Sequence, residues 1–312
     1  MNDMITANLT GNLGNHMWNY VIARLTAEKK GFDWGIPPHP THDYYRGANQ
    51  MYFMNVDYGK SLNIVGKYPD GLNIYEGIEH RYSDKNKTHV YNDDSCCINM
   101  YDPEVFNIQD NTMVHIISQS EDYLVERRED ILNWFSINQD YENQYLSKMD
   151  QMGISLDDNM CVINFRGGEF RSVPNLIPNP EYWKNAMSYM RSINPNMKFI
   201  IITDDPPCAN AYIPGVPCYH IDIGFDFYMV NKSKYLIITN SSFSWWAGWL
   251  NQRANLIIGP KYFGRYNVSN GYWSLGDSYS RQFHYMDREG KLFDYETCKR
   301  EALEFYKNNN LI

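Results

Sequence analysis

The chain has 312 residues, 43% of them hydrophobic and 21% charged, enough to bury a sizeable core and, by length, to form about two domains. Its net charge of −9, with no long basic run, argues against a nucleic acid or an anionic membrane surface as partner. No stretch approaches the roughly 20 apolar residues of a membrane span, and no basic then apolar leader opens the chain, so neither a transmembrane segment nor a secretory signal is expected. Met4 to Leu9 reads as a strand, followed by the glycine-rich turn Thr10-Gly11-Asn12-Leu13-Gly14-Asn15. Met17, Tyr20, Val21 and Leu25 then recur at helical spacing to about Lys30, the usual entry to a doubly wound domain. Residues 31–112 carry Pro37-Pro38-His39-Pro40 and many Asn, Tyr and Asp, and read as a loop-rich insertion with short helices.

Val114 to Ile117 predicts a further strand, and the spacing of Leu124, Arg127, Arg128, Ile131, Leu132 and Phe135 predicts a helix ending at Phe135. A helix over about 141–152 precedes the polar turn Gly153 to Asn159, the best candidate for a domain boundary. Beyond it the pattern is regular. Cys161 to Phe165 is a strand ending in Arg166-Gly167-Gly168-Glu169, and Glu181 to Ser192 is a helix. Phe199 to Thr203 is a strand ending in Asp204-Asp205-Pro206-Pro207. Tyr235 to Thr239 and Leu256 to Gly259 complete the series of strands. Near-continuous apolar strands alternating with helices imply a parallel sheet covered on both faces.

The six cysteines, Cys96, Cys97, Cys161, Cys208, Cys218 and Cys298, show no C-x-x-C spacing and read as reduced thiols of a cytoplasmic protein, without a structural zinc. The most informative segment is Thr239-Asn240-Ser241-Ser242-Phe243-Ser244-Trp245-Trp246-Ala247-Gly248-Trp249-Leu250. A strand that feeds a helix through serines offers N–H groups, hydroxyls and a positive dipole end to one anion. The same residues also suit an N-capped helix with a tryptophan core face. Ligands of open α/β sheets bind beyond the carboxyl ends of the strands. Those ends here carry Arg166 with Glu169, Asp204 with Asp205, and the serine cluster: cation, carboxylates and helix start suit a nucleotide.

Several segments, in order, resemble the α-1,2-fucosyltransferases of glycosyltransferase family 11. Gly11-Asn12-Leu13-Gly14-Asn15-His16-Met17-Trp18-Asn19-Tyr20 is similar to that family's G-x-L-G-N-Q-M-F-Q-Y opening, and Gln119-Ser120-Glu121-Asp122-Tyr123-Leu124 to its Q-S-E-K-Y-F. Asn164 to Phe170 sits where the family has H-x-R-R-G-D-Y, Thr203-Asp204-Asp205 matches T/S-D-D, and Ser241 to Leu250 matches S-S-F-S-W-W-A-A-W-L. Residues 31–112 are unmatched.

The resemblance implies an α/β fold of GT-B type, two Rossmann-like doubly wound domains facing across a cleft. The expected domains are residues 1–153, the acceptor side with its insertion, and residues 154–312, the nucleotide-sugar side. It implies inverting, metal-independent transfer of fucose or a related sugar from a GDP-sugar donor to a hydroxyl of a glycan or glycolipid-precursor acceptor. No cofactor or metal is expected, and the location is cytoplasmic, with membrane contact only through the acceptor. The residues implied in donor binding are Gly14, Asn15, Asn164, Arg166, Asp204, Asp205, Ser241, Ser242, Phe243 and Ser244. Arg166, Glu169 and Asn15 are the catalytic candidates. Arg166 and Asn15 would stabilise the leaving diphosphate. Glu169 is one candidate base, although a carboxylate beside Arg166 makes a weak one. Glu121, His16, His80 and His115 are others, and a mechanism without a base stays open. The family's second arginine, histidine and aspartate are replaced by Gly167, Asn164 and Glu169; Gly167-Gly168 would let the backbone approach the ligand closely, one positive charge is lost, and the sugar is left open. Two other classes compete: a nucleotide-sugar or glycan binder without catalysis, and a metal-dependent phosphoesterase built on Asp93-Asp94, Asp157-Asp158 and Asp204-Asp205.

Overall fold

Short apolar segments separated by capped helices build two separate parallel sheets. The computed structural model describes residues 4–37, 49–62, 71–76, 79–82, 96–99, 101–116, 119–264, 266–267 and 277–308, with 79–82 and 96–99 described by backbone alone. The chain divides into one compact unit of Met1–Glu79 and Asn99–Asn138, and a second of His80–Ile98 and Gln139–Ile312.

In the first unit, β1 (Met4–Ala7) is wholly buried and turns into α1 (Leu13–Lys30) through Gly11, whose φ of 72° favours a residue without Cβ. A Cβ on Gly11 would also come 2.6 Å from Asn15 Nδ2. α1 ends at Gly31 in the left-handed conformation, with Lys29 and Lys30 in its last turn, where they oppose the negative end of the helix dipole. β2 (Asp33–Trp34), β3 (Asn73–Tyr75) and β6 (Thr112–Val114) join β1 in the order β2-β1-β6-β3, all parallel. β4 (Glu79–Tyr82) and β5 (Cys96–Asn99), which fall mainly in the second unit, form a separate two-stranded sheet among the described residues. The described part of 31–112 therefore contains short sheet strands where loops and helices were expected; at two to four residues they are too short to show an alternating pattern. The helix expected to end at Phe135 is broken as well: 3-10 turns at Glu121–Tyr123 and Val125–Arg127 precede α2 (Arg128–Trp134).

The main segment of the second unit starts at α3 (Gln139–Gln151), where the sequence placed the boundary later, at Gly153. Tyr145 explains the difference: its ring centroid lies 5.9 Å from Phe225 and 5.5 Å from Tyr228, tying α3 to this unit. The elements that follow are β7 (Met160–Phe165), α4 (Pro180–Ile193), β8 (Lys198–Thr203), α5 (Pro206–Tyr212), β9 (Cys218–Tyr219), α6 (Ile223–Asn231) and β10 (Tyr235–Ile237). The chain closes with α7 (Ser242–Trp249), β11 (Leu256–Pro260), β12 (His284–Met286), β13 (Leu292–Phe293) and α8 (Tyr295–Asn308). The seven strands lie in the order β13-β12-β11-β10-β7-β8-β9, parallel except for the β12–β13 pair. Val162, Ile163, Ile201, Leu236, Ile237 and Ile258 are buried to 5% exposure or less, as a sheet covered on both faces requires. Each unit is thus a parallel-sheet α/β layer of the Rossmann-like kind. Among the described residues no helix is long and apolar enough to cross a membrane.

Candidate active site

Strand order places the chemistry. From β7 the chain moves outward to β8 and β9, then returns to β10 on the opposite side of β7. The carboxyl ends of β7 and β10 therefore flank a topological switch point, where open α/β sheets hold ligands. Ile163 and Ile237 are register partners, so Arg166 and Asn240 leave the two strands at the same level. On the other flank Phe165 pairs with Thr203, which brings Asp204 beside Arg166.

Arg166 is held by two carboxylates. Its Nη1 pairs with Asp204 Oδ2, and its Nη2 donates to Glu169 Oε1 at 2.8 Å. Asp204 is fixed from its other oxygen, which accepts the Gly167 N–H at 2.9 Å. Asp205 turns away: its Oδ1 accepts the Cys208 N–H at 3.1 Å and caps α5, while Arg171 Nε lies 3.1 Å from its Oδ2. Pro206 and Pro207 open that helix at positions that need no N–H partner. The structure therefore separates the two aspartates, Asp204 for Arg166 and Asp205 for the helix cap. Asn164 is 5% exposed and donates its amide to the Ile202 carbonyl at 3.1 Å.

The close approach around Gly167 and Gly168 is to protein. A Cβ on Gly167 would sit 2.7 Å from Asp205 Cβ and 3.1 Å from Cys208 Cβ, and one on Gly168 would overlap the Asp204 carboxylate. The two glycines let the loop fold down onto the aspartates.

The serine segment combines both of its expected roles. Ser241 is the N-cap of α7, its hydroxyl accepting the Phe243 N–H at 3.3 Å. Ser244 has no exposed surface, and its hydroxyl lies 3.0 Å from the Ser241 carbonyl and 3.3 Å from that of Thr239. Ser242 and Phe243 are partly exposed in the first turn, with Phe243 edge-on to Phe227 at 5.5 Å. Trp245 stacks on Trp249 at 6.0 Å and donates its indole N–H to the Ser278 carbonyl at 2.8 Å; with Trp246 they fix the helix behind its cap. Thr239 Oγ1 and Asn240 Oδ1 are buried at this strand end with no hydrogen-bond partner among the described residues.

Gly14 and Asn15 belong to the first unit, in the opening turn of α1 and not in the preceding loop. Gln119 Nε2 donates to Asn15 Oδ1 at 3.2 Å, so two of the motif segments meet there. Among the other base candidates, His16 is buried with Nε2 3.1 Å from the Gly11 carbonyl, and Glu121 is buried in its 3-10 turn. His115 Nδ1 lies 3.6 Å from Glu76. The His80 side chain and Asp93-Asp94 fall outside the described residues. Asp157-Asp158 precede the amino end of β7, with Asp158 paired to Lys234 at 2.7 Å, whereas Asp204-Asp205 follow the carboxyl end of β8. These two described pairs do not converge.

One pairing was not visible in the sequence. His220, just after β9, places Nδ1 2.6 Å from Asp226 Oδ2 in α6, and Asp226 Oδ1 accepts the Ile221 N–H at 3.3 Å. Residues six apart do not touch within one strand or one helix, so the pair depends on the turn between β9 and α6. Burial pushes the Asp226 carboxyl up to about 6, with His220 pulling the other way. The folded state therefore keeps a proton that the unfolded chain releases near a pKa of about 3.9. That contribution to stability is complete at lower pH and is lost as pH rises through about 6. Asp226→Asn is expected to gain on the wild type between pH 4 and pH 7, by up to about 3 kcal/mol. Denaturant unfolding at both pH values checks this; a pH-independent difference would count against it.

No family model matches the chain. Over 158 residues it is 26% identical to the O-antigen biosynthesis glycosyltransferase WbnK of Escherichia coli, covering 46% of this chain and 52% of that protein. Over 157 residues it is 26% identical to an alpha-1,2-colitosyltransferase of Escherichia coli, with the same coverage. The matches thus span about half the length of these curated relatives. A solved fucosyltransferase, NodZ from Bradyrhizobium, aligns over 82% of this chain and 94% of its own at 11% identity, with a TM-score of 0.47. The likeness in sequence is therefore to glycosyltransferases.

Proposed function

We propose that the chain is a glycosyltransferase that moves fucose, or a related sugar, from a GDP-sugar to a hydroxyl of a glycan or glycolipid-precursor acceptor. The transfer is proposed to invert the anomeric carbon, to need no metal and to form an α-1,2 linkage. One observation carries the reading: Arg166 stands at the carboxyl end of β7, level with the capped N-terminus of α7 across the switch point. As the bond from C1 to the diphosphate oxygen breaks, negative charge grows on the leaving phosphate. A guanidinium fork and the first-turn N–H groups of a helix stabilise such charge without reorganising.

In the unliganded protein Arg166 is already occupied by Asp204 and Glu169. Glu169 is the replaceable partner: its side chain is 55% exposed, and an exposed ion pair contributes at most about 1 kcal/mol. The incoming diphosphate takes its place on Nη2, and the released carboxylate becomes available to the acceptor hydroxyl. Gly14 and Asn15 are proposed as donor-binding residues, with Asn15 also stabilising the leaving diphosphate. The rival reading, a binder that does not turn over, rests on Gly167, where the resembled motif has its second arginine.

Donor hydrolysis separates these readings. GDP is expected to raise the melting temperature, while UDP and Mg²⁺ leave it unchanged. Slow release of GDP from GDP-fucose should continue in the presence of a chelator. Stabilisation by GDP without any release would establish the binder, and loss of release on chelation would overturn metal independence.

A further inference from the structure

We propose that Arg171 is a second phosphate-binding guanidinium of this site, anchored by Asp205 beside Arg166. The inference rests on the nucleotide-sugar reading above. Arg171 lies in the 3-10 turn Glu169–Ser172, and its backbone N–H donates to the Gly167 carbonyl at 3.0 Å, which ties it to the loop that carries Arg166. Its side chain is 61% exposed, whereas its partner Asp205 is 8% exposed. Asp205 cannot move freely, because its other oxygen caps α5. One end of the guanidinium, Nε, is therefore held on a fixed carboxylate, and no other acceptor or carboxylate meets Arg171 among the described residues. The two Nη groups are left for a ligand.

Charge supports the assignment. The loop edge holds three carboxylates, Glu169, Asp204 and Asp205, against two guanidiniums, Arg166 and Arg171. Without Arg171 the excess of negative charge would double, at a place proposed to receive a diphosphate. Arg166 meets two carboxylates and Arg171 only one, so Arg171 retains donors that Arg166 lacks. Asp204 and Asp205 at the end of β8 thus each hold one arginine, Arg166 and Arg171, and planar forks of this kind match the geometry of phosphate oxygens. Glu169 leaves Arg166 when the diphosphate arrives, while Asp205 stays on Arg171.

Calorimetric titration of GDP and guanosine into wild type, Arg171→Ala and Arg171→Lys tests this. In Arg171→Ala, GDP should bind about 10- to 100-fold more weakly while guanosine binds as before, the loss of one charge-assisted contact. Arg171→Lys, which keeps the charge but not the fork, should recover only part of the difference and serves as the readout if the alanine variant does not fold. An unchanged preference for GDP over guanosine in the folded variants would overturn the role of Arg171 and leave the nucleotide reading standing. A wild type that binds GDP no better than guanosine would instead overturn both.

Discussion

Arg166→Ala is expected to lower donor turnover by about 10³-fold while the protein remains folded. The size follows from removing a preorganised donor aimed at developing charge, which typically costs a factor of 10²–10³. Here the loss falls at the upper end, because deletion also leaves Asp204 and Glu169 without their cation. Two unpaired carboxylates at the diphosphate position repel the ligand and oppose charge growth in the transition state. Stability should suffer little. Glu169 is largely exposed, and Asp204 is 24% exposed and keeps the Gly167 N–H, so neither is left as a deeply buried lone charge. Arg166→Lys should recover binding only partly, since an ammonium cannot engage two oxygens in one plane. The measurement is kcat for GDP release from GDP-fucose beside a melting curve. Near-normal turnover in the alanine variant would remove Arg166 from the mechanism.

Gly167→Arg is the second large effect, and its direction runs against the motif resemblance. The change restores the second arginine of the resembled pattern, so sequence comparison alone anticipates a gain. The structure predicts a loss. The new Cβ would lie 2.7 Å from Asp205 Cβ and 3.1 Å from Cys208 Cβ, atoms next to the backbone that a rotamer change cannot carry away. Asp205 caps α5 and Asp204 binds Arg166, so making room displaces both. Overpacking of this kind costs about 1–3 kcal/mol, or several degrees in melting temperature for a unit of this size. Turnover is expected to fall at least about tenfold, as misplacing a catalytic group by about 1 Å costs up to roughly 10²-fold. A variant that melts normally and turns over faster would show that the loop relaxes and that the charge lost at 167 was limiting.

The two glycines also mark where reading the sequence succeeds and stops. Gly167-Gly168 signals a close backbone approach, and such an approach is present. The sequence suggested the ligand as the group approached; the structure supplies Asp204 and Asp205. Asp204 and Asp205 were both expected at the donor; the structure gives Asp205 to the cap of α5, and which aspartate would serve Arg166 was not legible. The tryptophans of α7 pack as their size requires, and Ser241 caps as a serine before an apolar run should. Ser244 was expected at the anion wall, yet a buried hydroxyl in the first turn meets the nearby carbonyls of Thr239 and Ser241.

By itself the sequence determined the four central strands of the second unit, its helices α3, α4 and α7, the residues at those strand ends and the Ser241 cap. These depend on local rules: doubly covered strands need unbroken apolar runs, and helix starts need a side-chain acceptor or a proline. The tertiary structure alone decided that β7 lies between β8 and β10. That order joins Arg166 to Asp204, 38 residues away, and sets the α7 cap on the other side of the switch point. It also decided that His220 meets Asp226 and that Arg171 meets Asp205. Strand order is a choice among pairings of similar local energy, settled by which helices cover which faces, and no short window of sequence carries that information.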